Sequence, residues 1–123
     1  MEKVSTMLVV ADLAVSKQFY VDVLGLTIQS EYPGRIYFTL GDHPIAMFQG
    51  EGPAVASEHA DDANSTLIFS TKNLDEKIAQ MKSQGVEFLD EEPNDQPWGR
   101  YLAFKDPSGI VHEVFELGSE QSL

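Results

Sequence analysis

The 123-residue sequence contains no cysteine. This absence excludes a disulfide scaffold, a cysteine-based zinc finger, an iron–sulfur cluster held by cysteines and a thiol nucleophile. The sequence also lacks an apolar run near the roughly 20 residues of a membrane span, and its N-terminus lacks a signal-peptide pattern. We therefore expect a folded, cytoplasmic protein.

Basic residues are scarce, since 8 Lys and Arg stand against 20 Asp and Glu, which gives a net charge of −12 at pH 7. A field of this sign repels phosphate backbones and anionic lipid, so we expect no nucleic-acid partner and no membrane partner. The same field attracts a cationic small molecule or a metal ion, although surface acids also serve solubility alone. Ser-His-Asp order, a Gly-rich phosphate loop and a dinucleotide fingerprint are all missing.

The sequence repeats itself with a spacing of about 60 to 67 residues. VSTMLVVADL (4–13) and STLIFSTKNL (65–74) each indicate a strand that leads to a helix cap, at Asp12 and at Asn73. Side chains of these two types accept hydrogen bonds from the first turn of a helix. The spacing therefore predicts one helix in each half of the chain.

The first helix is predicted over about 13–24, with Val15, Phe19 and Val23 on its buried face and Gly25 just beyond its end. The second helix is predicted over about 74–84. It too is followed by a glycine, Gly85. The two helices thus share one start signal and one stop signal.

After each helix the pattern changes to that of strands. The segments 34–49 and 99–116 predict hairpins, and 27–32 and 86–91 predict one further strand each. The resulting order is β-α-β-β-β, twice, which predicts an α+β fold. We interpret 1–123 as a single domain that contains two modules, about 1–50 and 64–118, joined by a linker over about 50–64.

Strand alternation sorts these residues onto two sheet faces. One face packs under the helices. The other mixes aromatic rings, hydroxyls and a carboxylate, a composition that suits a small-molecule site. Its predicted members are Ser5, Met7, Val9, Tyr37, Thr39, Ala46, Phe48, Thr66, Ile68, Ser70, Tyr101, Ala103, Glu113 and Phe115.

Two long segments, VVADLAVSKQFYVDVLGL (9–26) and FKDPSGIVHEVFE (104–116), resemble the vicinal oxygen chelate superfamily of glyoxalase I, bleomycin-resistance proteins and extradiol dioxygenases. The segment DQPWGRYLAFKDPSG (95–109) is most similar to the antibiotic-resistance branch. The resemblance implies a cup-shaped mixed sheet with the helices on its outer face and the ligand inside. It also implies a two-fold homodimer, with the strands of 1–10 and 45–49 near the interface.

The resemblance further implies a divalent metal on His and Glu side chains, at positions that correspond to Ser5, Ala46, Thr66 and Glu113. Of these, Glu113 alone is a usual metal ligand, whereas an open catalytic metal site has about three protein ligands. We therefore predict no metal site, no cofactor and no catalytic residues.

The histidines offer little to replace the missing ligands. His43 is predicted in a hairpin turn, His59 in the linker, and His112 on the helix side of its strand, opposite to Glu113. None of them has chelating spacing.

The single tryptophan allows two interpretations. Trp98 follows the acidic segment 90–95, which is either a flexible surface loop or a lid whose Trp98 stacks on a flat or cationic ligand. Arg100 is expected to pair with a nearby acid.

We accordingly expect a metal-free binding protein that resembles bleomycin-resistance proteins and sequesters a cationic or aromatic compound. Its expected ligand-binding residues are Tyr37, Phe48, Trp98, Tyr101, Glu113 and Phe115. The alternatives are a metal-dependent glyoxalase- or dioxygenase-like enzyme with atypical ligands, and a binding module for a cellular metabolite.

Overall fold

Each half of the sequence repeat folds as one sheet with one helix. The computed structural model describes residues 1–51 and 65–118. The chain divides into two units, Met1–Val55 and Ala56–Leu123. The predicted linker therefore lies almost wholly outside the described residues.

The first unit contains β1 (Thr6–Val10), α1 (Leu13–Asp22), β2 (Thr27–Tyr32), β3 (Arg35–Leu40) and β4 (His43–Gln49). Its four strands lie in the order β1-β4-β3-β2, with β1 parallel to β4 and the other neighbours antiparallel. The strand that precedes the helix thus pairs with the last strand of the unit, and β1 and β2 form the edges of this sheet.

The second unit repeats the plan with one additional strand. Its elements are β5 (Ile68–Ser70), α2 (Leu74–Ser83), β6 (Glu87–Phe88), β7 (Asn94–Gln96), β8 (Gly99–Lys105) and β9 (Val111–Leu117). The strands lie in the order β5-β9-β8-β6, and β7 also pairs with β8. The α+β fold of two βαβββ modules is therefore confirmed.

Two predictions about the segment 86–98 were wrong. The strand expected over 86–91 forms only at Glu87–Phe88, and the segment interpreted as a loop contains β7. The sequence Asn-Asp-Gln of β7 has no apolar alternation, so it gives no strand signal. Backbone pairing with β8, from Asn94 opposite Tyr101 to Gln96 opposite Gly99, decides its structure.

Both helices start where the sequence predicts and end one or two residues before the predicted bounds, at Asp22 and Ser83. The N–H of Val15 donates to Oδ1 of Asp12, and the N–H of Glu76 donates to Oδ1 of Asn73, each at 3.1 Å. Beyond the helix ends, Gly25 has φ 76° and Gly85 has φ 83°. This left-handed conformation favours glycine because it has no Cβ.

The predicted buried face of α1 was right at Val23 and wrong at Val15, and Phe19 is half-buried. Val15 is 49% exposed, whereas Ser16 and Tyr20 are fully buried and Val23 is nearly so. Two apolar stripes run side by side on this helix, and spacing alone does not choose between them. Contact with the sheet selects the stripe that buries Tyr20 completely.

The core of the second unit lies between its sheet and α2. Phe104 on β8 is fully buried, and so are Leu74 and Met81 on α2. His112 is 1% exposed, with its ring centroid 5.7 Å from that of Phe104. Within the described residues, no helix is long and apolar enough to cross a bilayer.

Candidate ligand-binding site

Strand register fixes which positions of the two units are equivalent. Ala46 pairs with Met7 on one side and with Tyr37 on the other. Glu113 pairs with Ile68 and with Ala103 in the same way. Ala46 and Glu113 therefore occupy the same place in their sheets, as the sequence repeat predicts.

The first sheet gathers aromatic rings on the face that is turned away from its buried residues, here called the first open face. Tyr37 and Phe48 are both half-buried, and their ring centroids lie 6.4 Å apart in an edge-to-face arrangement. Tyr32 extends this set, with its centroid 6.0 Å from that of Tyr37. Two of the predicted site residues, Tyr37 and Phe48, are thus brought together.

The corresponding surface of the second sheet, the second open face, carries the carboxylate. Glu113 is half-buried on β9, and Phe115 follows it by two positions on the same face, about 7 Å along the strand. Tyr101 of β8 pairs directly with Phe115. Three more predicted residues, Tyr101, Glu113 and Phe115, therefore share this face.

The ring of Phe115 occupies space that a side chain at position 99 would need. A Cβ added to Gly99 would lie 2.5 Å from Cζ of Phe115 and 2.5 Å from the carbonyl oxygen of Glu116. Real Cβ contacts are not this short, so the glycine is required for Phe115 to lie across β8. The sequence pattern gives no direct sign of this role.

Trp98 lies in the turn between β7 and β8 and is 44% exposed. The N–H of Gly118 donates to the carbonyl oxygen of Trp98 at 2.9 Å, which ties this turn to the end of β9. Nearby, Arg100 donates from Nε to Oδ1 of Asp95 at 2.6 Å. The interpretation of this part as a loop was therefore wrong for Asn94 to Gln96, which pair with β8 in a hairpin, whereas residues 89–93 form no strand.

A groove of about 490 Å³ opens beside Phe115. The residues that line it come from the ends of β5 and β9 and from the segment before α2: Ser70, Thr71, Lys72, Phe115, Glu116 and Leu117. Of these, only Phe115 is among the six expected ligand-binding residues, although Ser70 was assigned to the same predicted face. Glu116 was missed because strand alternation assigns it to the face opposite Glu113 and Phe115, and Lys72 was missed because it lies between β5 and α2, where no alternation applies.

Glu116 also stabilises the start of α2. The N–H of Leu74 donates to Oε1 of Glu116 at 2.8 Å. In the first unit, the N–H of Leu13 donates to Oε1 of Gln49 at the same distance. The repeat aligns Gln49 with Glu116, so this shared role was within reach of the sequence.

The residues at the family's metal positions do not fit a divalent metal. Ser5 is exposed ahead of β1, and Thr66 precedes β5. The neighbours of Glu113 across the sheet, Ile68 and Ala103, carry no ligand atom. Among residues 1–51 and 65–118, no three His, Asp or Glu side chains are grouped in a way that could hold an ion.

Two of the histidines make contacts that belong to the fold rather than to a binding site. Nε2 of His43 lies 2.7 Å from Oγ1 of Thr6, across the first sheet. His112 is on the helix side of β9, as predicted, and its burial lowers its pKa to about 4. A neutral, buried imidazole of this kind belongs to the core. His59 lies outside the described residues.

The doubled βαβββ fold and the two open faces define a protein of the vicinal oxygen chelate class. The sequence profile of the Glyoxalase/Bleomycin resistance protein/Dioxygenase superfamily matches residues 4–114. The chain belongs to this superfamily.

Among its relatives, the uncharacterized protein YaeR of Escherichia coli strain K12 is 30% identical over 120 residues, which cover 89% of this chain and 91% of YaeR. A similar structure is a fosfomycin resistance protein, FosX from Listeria monocytogenes, complexed with Mn(II) and sulfate. It has a TM-score of 0.78 at 20% identity and covers 98% of this chain and 93% of its own. A glyoxalase/bleomycin resistance protein/dioxygenase from Nocardioides has a TM-score of 0.70 at 25% identity. The match covers 99% of this chain and 87% of the Nocardioides chain. At 20% identity the FosX likeness concerns the fold alone.

Proposed function

We propose that this protein binds and sequesters a small cationic or aromatic compound and breaks no bond in it. The observation that carries the proposal is the position of Glu113. This carboxylate is half-buried on the second open face, on the same side of the sheet as Tyr101 and Phe115. A carboxylate next to aromatic rings is suited to bind an amine or guanidinium that is attached to a flat body.

The groove beside Phe115 supports the proposal because it supplies volume next to a ring that lies about 7 Å from Glu113 along β9. Its volume of about 490 Å³ falls within the roughly 300–1,000 Å³ that is common for small-molecule pockets. A ligand whose cation contacts Glu113 would extend its apolar body along Phe115 toward Leu117. Trp98, in the neighbouring hairpin turn, is a further surface on which a flat ring could stack.

The charge of the whole chain favours the same class of ligand. A net charge of −12 attracts cations over a distance, and added salt screens this attraction. Arrival of a cationic ligand should therefore slow as the salt concentration rises. The contact between the ligand and Glu113 is shorter in range, so it should be less sensitive to the salt concentration.

The test is a thermal-shift screen of cationic glycopeptide and cationic aromatic antibiotics, followed by titration of the best hit. If Glu113 makes a charged hydrogen bond, Glu113→Gln should cost about 1.5–3 kcal/mol, or roughly 10- to 150-fold in affinity. A neutral isostere of the hit should lose much less affinity in the same variant.

Glu87→Gln is the matched control. Glu87 lies on β6 of the same sheet, 3.2 Å from Nζ of Lys105, and its replacement removes the same single charge. This variant should bind within about twofold of the unchanged protein. The absence of any cationic hit, or equal effects of the two substitutions, would overturn the proposal.

One observation favours a second candidate, a metal-dependent enzyme. Several of the similar structures are fosfomycin resistance proteins, and one of them is complexed with Mn(II). Metal analysis of the purified protein, with and without added divalent ions, separates the two candidates. One tightly bound transition metal per chain that is lost in Glu113→Gln would replace sequestration with this second function.

We also propose that the protein is a cytoplasmic homodimer. Two apolar side chains of the edge strand β1 support this assembly, since Met7 is 66% exposed and Val9 is 48% exposed. Exposed apolar side chains on an edge strand are often covered by another subunit.

A further inference from the structure

The first open face carries a cation where the second carries an anion. Arg35 on β3 pairs with Phe48 of β4, so both side chains lie on that face. Cζ of the Arg35 guanidinium lies 4.4 Å from the centroid of the Tyr32 ring. The rings of Tyr32, Tyr37 and Phe48 continue from it edge to face.

The two arginines of the chain have different partners. Arg100 binds Asp95 at 2.6 Å and Asp75 at 3.2 Å, and these carboxylates raise its pKa. No carboxylate of residues 1–51 and 65–118 lies within ion-pair distance of Arg35. In a chain with 20 acidic side chains, a half-buried guanidinium that rests on an aromatic ring is therefore still able to bind an anion.

We propose that Arg35 and the rings of Tyr37 and Phe48 bind an anion with a flat apolar body, such as an aromatic carboxylate. The planar guanidinium donates two parallel hydrogen bonds to a carboxylate, and stacking on Tyr32 holds its plane. The flat body then lies along Tyr37 and Phe48.

The negative net charge of the chain repels an anionic ligand. This repulsion acts over a longer distance than the contact with Arg35. Long-range repulsion by the net charge falls off within about 10 Å at 0.1 M salt. A bidentate contact with a guanidinium acts at hydrogen-bond distance and is screened much less. We therefore expect the net charge to slow the association of the anion, and the contact with Arg35 to determine its affinity.

The experiment titrates 2-naphthoate and its neutral analogue 2-naphthamide into the intact protein, and follows backbone amide signals by NMR. Naphthoate should shift the signals of residues 32–37 and 46–48. Arg35→Gln should weaken naphthoate binding at least tenfold and change naphthamide binding less than twofold. Arg35→Lys, which keeps the charge but loses the planar pair of donors, should weaken it about threefold.

Arg100→Gln is the matched control, since it removes the same charge from a guanidinium that already has two carboxylates. It should change naphthoate binding less than twofold. The proposal is overturned if Arg35→Gln and Arg100→Gln have equal effects, or if the shifted signals belong to residues 99–117. Because the cationic hit and Glu113→Gln are measured separately, failure of this proposal is distinguishable from failure of the proposed function.

Discussion

The two units share a backbone plan and differ in the chemistry of equivalent positions. In both, the first strand pairs with the last, and a side chain near the end of that last strand, Gln49 or Glu116, accepts a hydrogen bond from the first N–H of the helix. At two equivalent positions of the open faces the residues diverge, with Ala46 in place of Glu113 and Arg35 in place of Tyr101. Backbone pairing and caps thus preserve the fold while the open faces are free to change.

The divergence extends into the core. Ile45 pairs with Phe38 in the first sheet, and His112 pairs with Phe104 in the second. All four side chains are almost completely buried. One unit therefore has a purely apolar contact where the other contains a titratable ring, and the two should respond differently to acid.

The largest effect that we predict is the loss of stability in acid through His112. Its pKa is about 4 in the folded protein, against 6.5 when it is exposed. The unfolded chain therefore takes up a proton first as the pH falls. The stabilisation is complete above pH 6.5 and is lost between about pH 6.5 and 4, for a total of about 3 kcal/mol.

His112→Ile, which introduces the residue of the first unit, should remove this dependence. The measurement is the free energy of unfolding by denaturant at pH 7, 5.5 and 4, taken as the difference between the variant and the unchanged protein. The carboxylates titrate in both proteins and largely cancel in that difference. Parallel pH curves would show that His112 contributes nothing to acid unfolding.

An effect of intermediate size is expected at the edge strand β1. In the proposed dimer Met7 is covered, so Met7→Lys should weaken association by about 2 kcal/mol, roughly thirtyfold. The check is the molar mass in solution across micromolar concentrations. Val15→Lys is the control, because Val15 is 49% exposed on α1 and the change in charge is the same. A monomeric mass for the unchanged protein would contradict the assembly.

The smallest predicted effect comes from giving the first open face the carboxylate of the second. Ala46→Glu places an acid beside Tyr37 and close to Arg35. Affinity for 2-naphthoate should fall about tenfold, because the new carboxylate competes for the guanidinium. Ala14→Glu, on the exposed side of α1, should leave that affinity within twofold. Equal losses of affinity in both variants would show that the added negative charge, and not its position near Arg35, weakens binding.

Much of the fold was predictable from the sequence because its signals are local. The caps at Asp12 and Asn73, the glycines beyond the helices and the alternation in β3, β4, β8 and β9 act through neighbouring atoms. The strand β7 was missed because its signal is not local: among the described residues, its strand conformation comes from pairing with β8. The buried face of α1 was predicted incorrectly at Val15 for the same reason, because contact with strands distant in sequence selects which stripe is buried.

For the candidate site, the sequence by itself determined the composition of each open face, because period-two alternation puts Tyr37 with Phe48 and Glu113 with Phe115. Tertiary structure alone decided the partners of the charged groups. The motif Gly-Arg begins both hairpins, yet strand register puts Arg35 opposite Phe48 and Arg100 opposite Glu116. A shift of one residue moves a side chain to the other face of a sheet. For this reason one arginine lies on an aromatic surface and the other between two carboxylates.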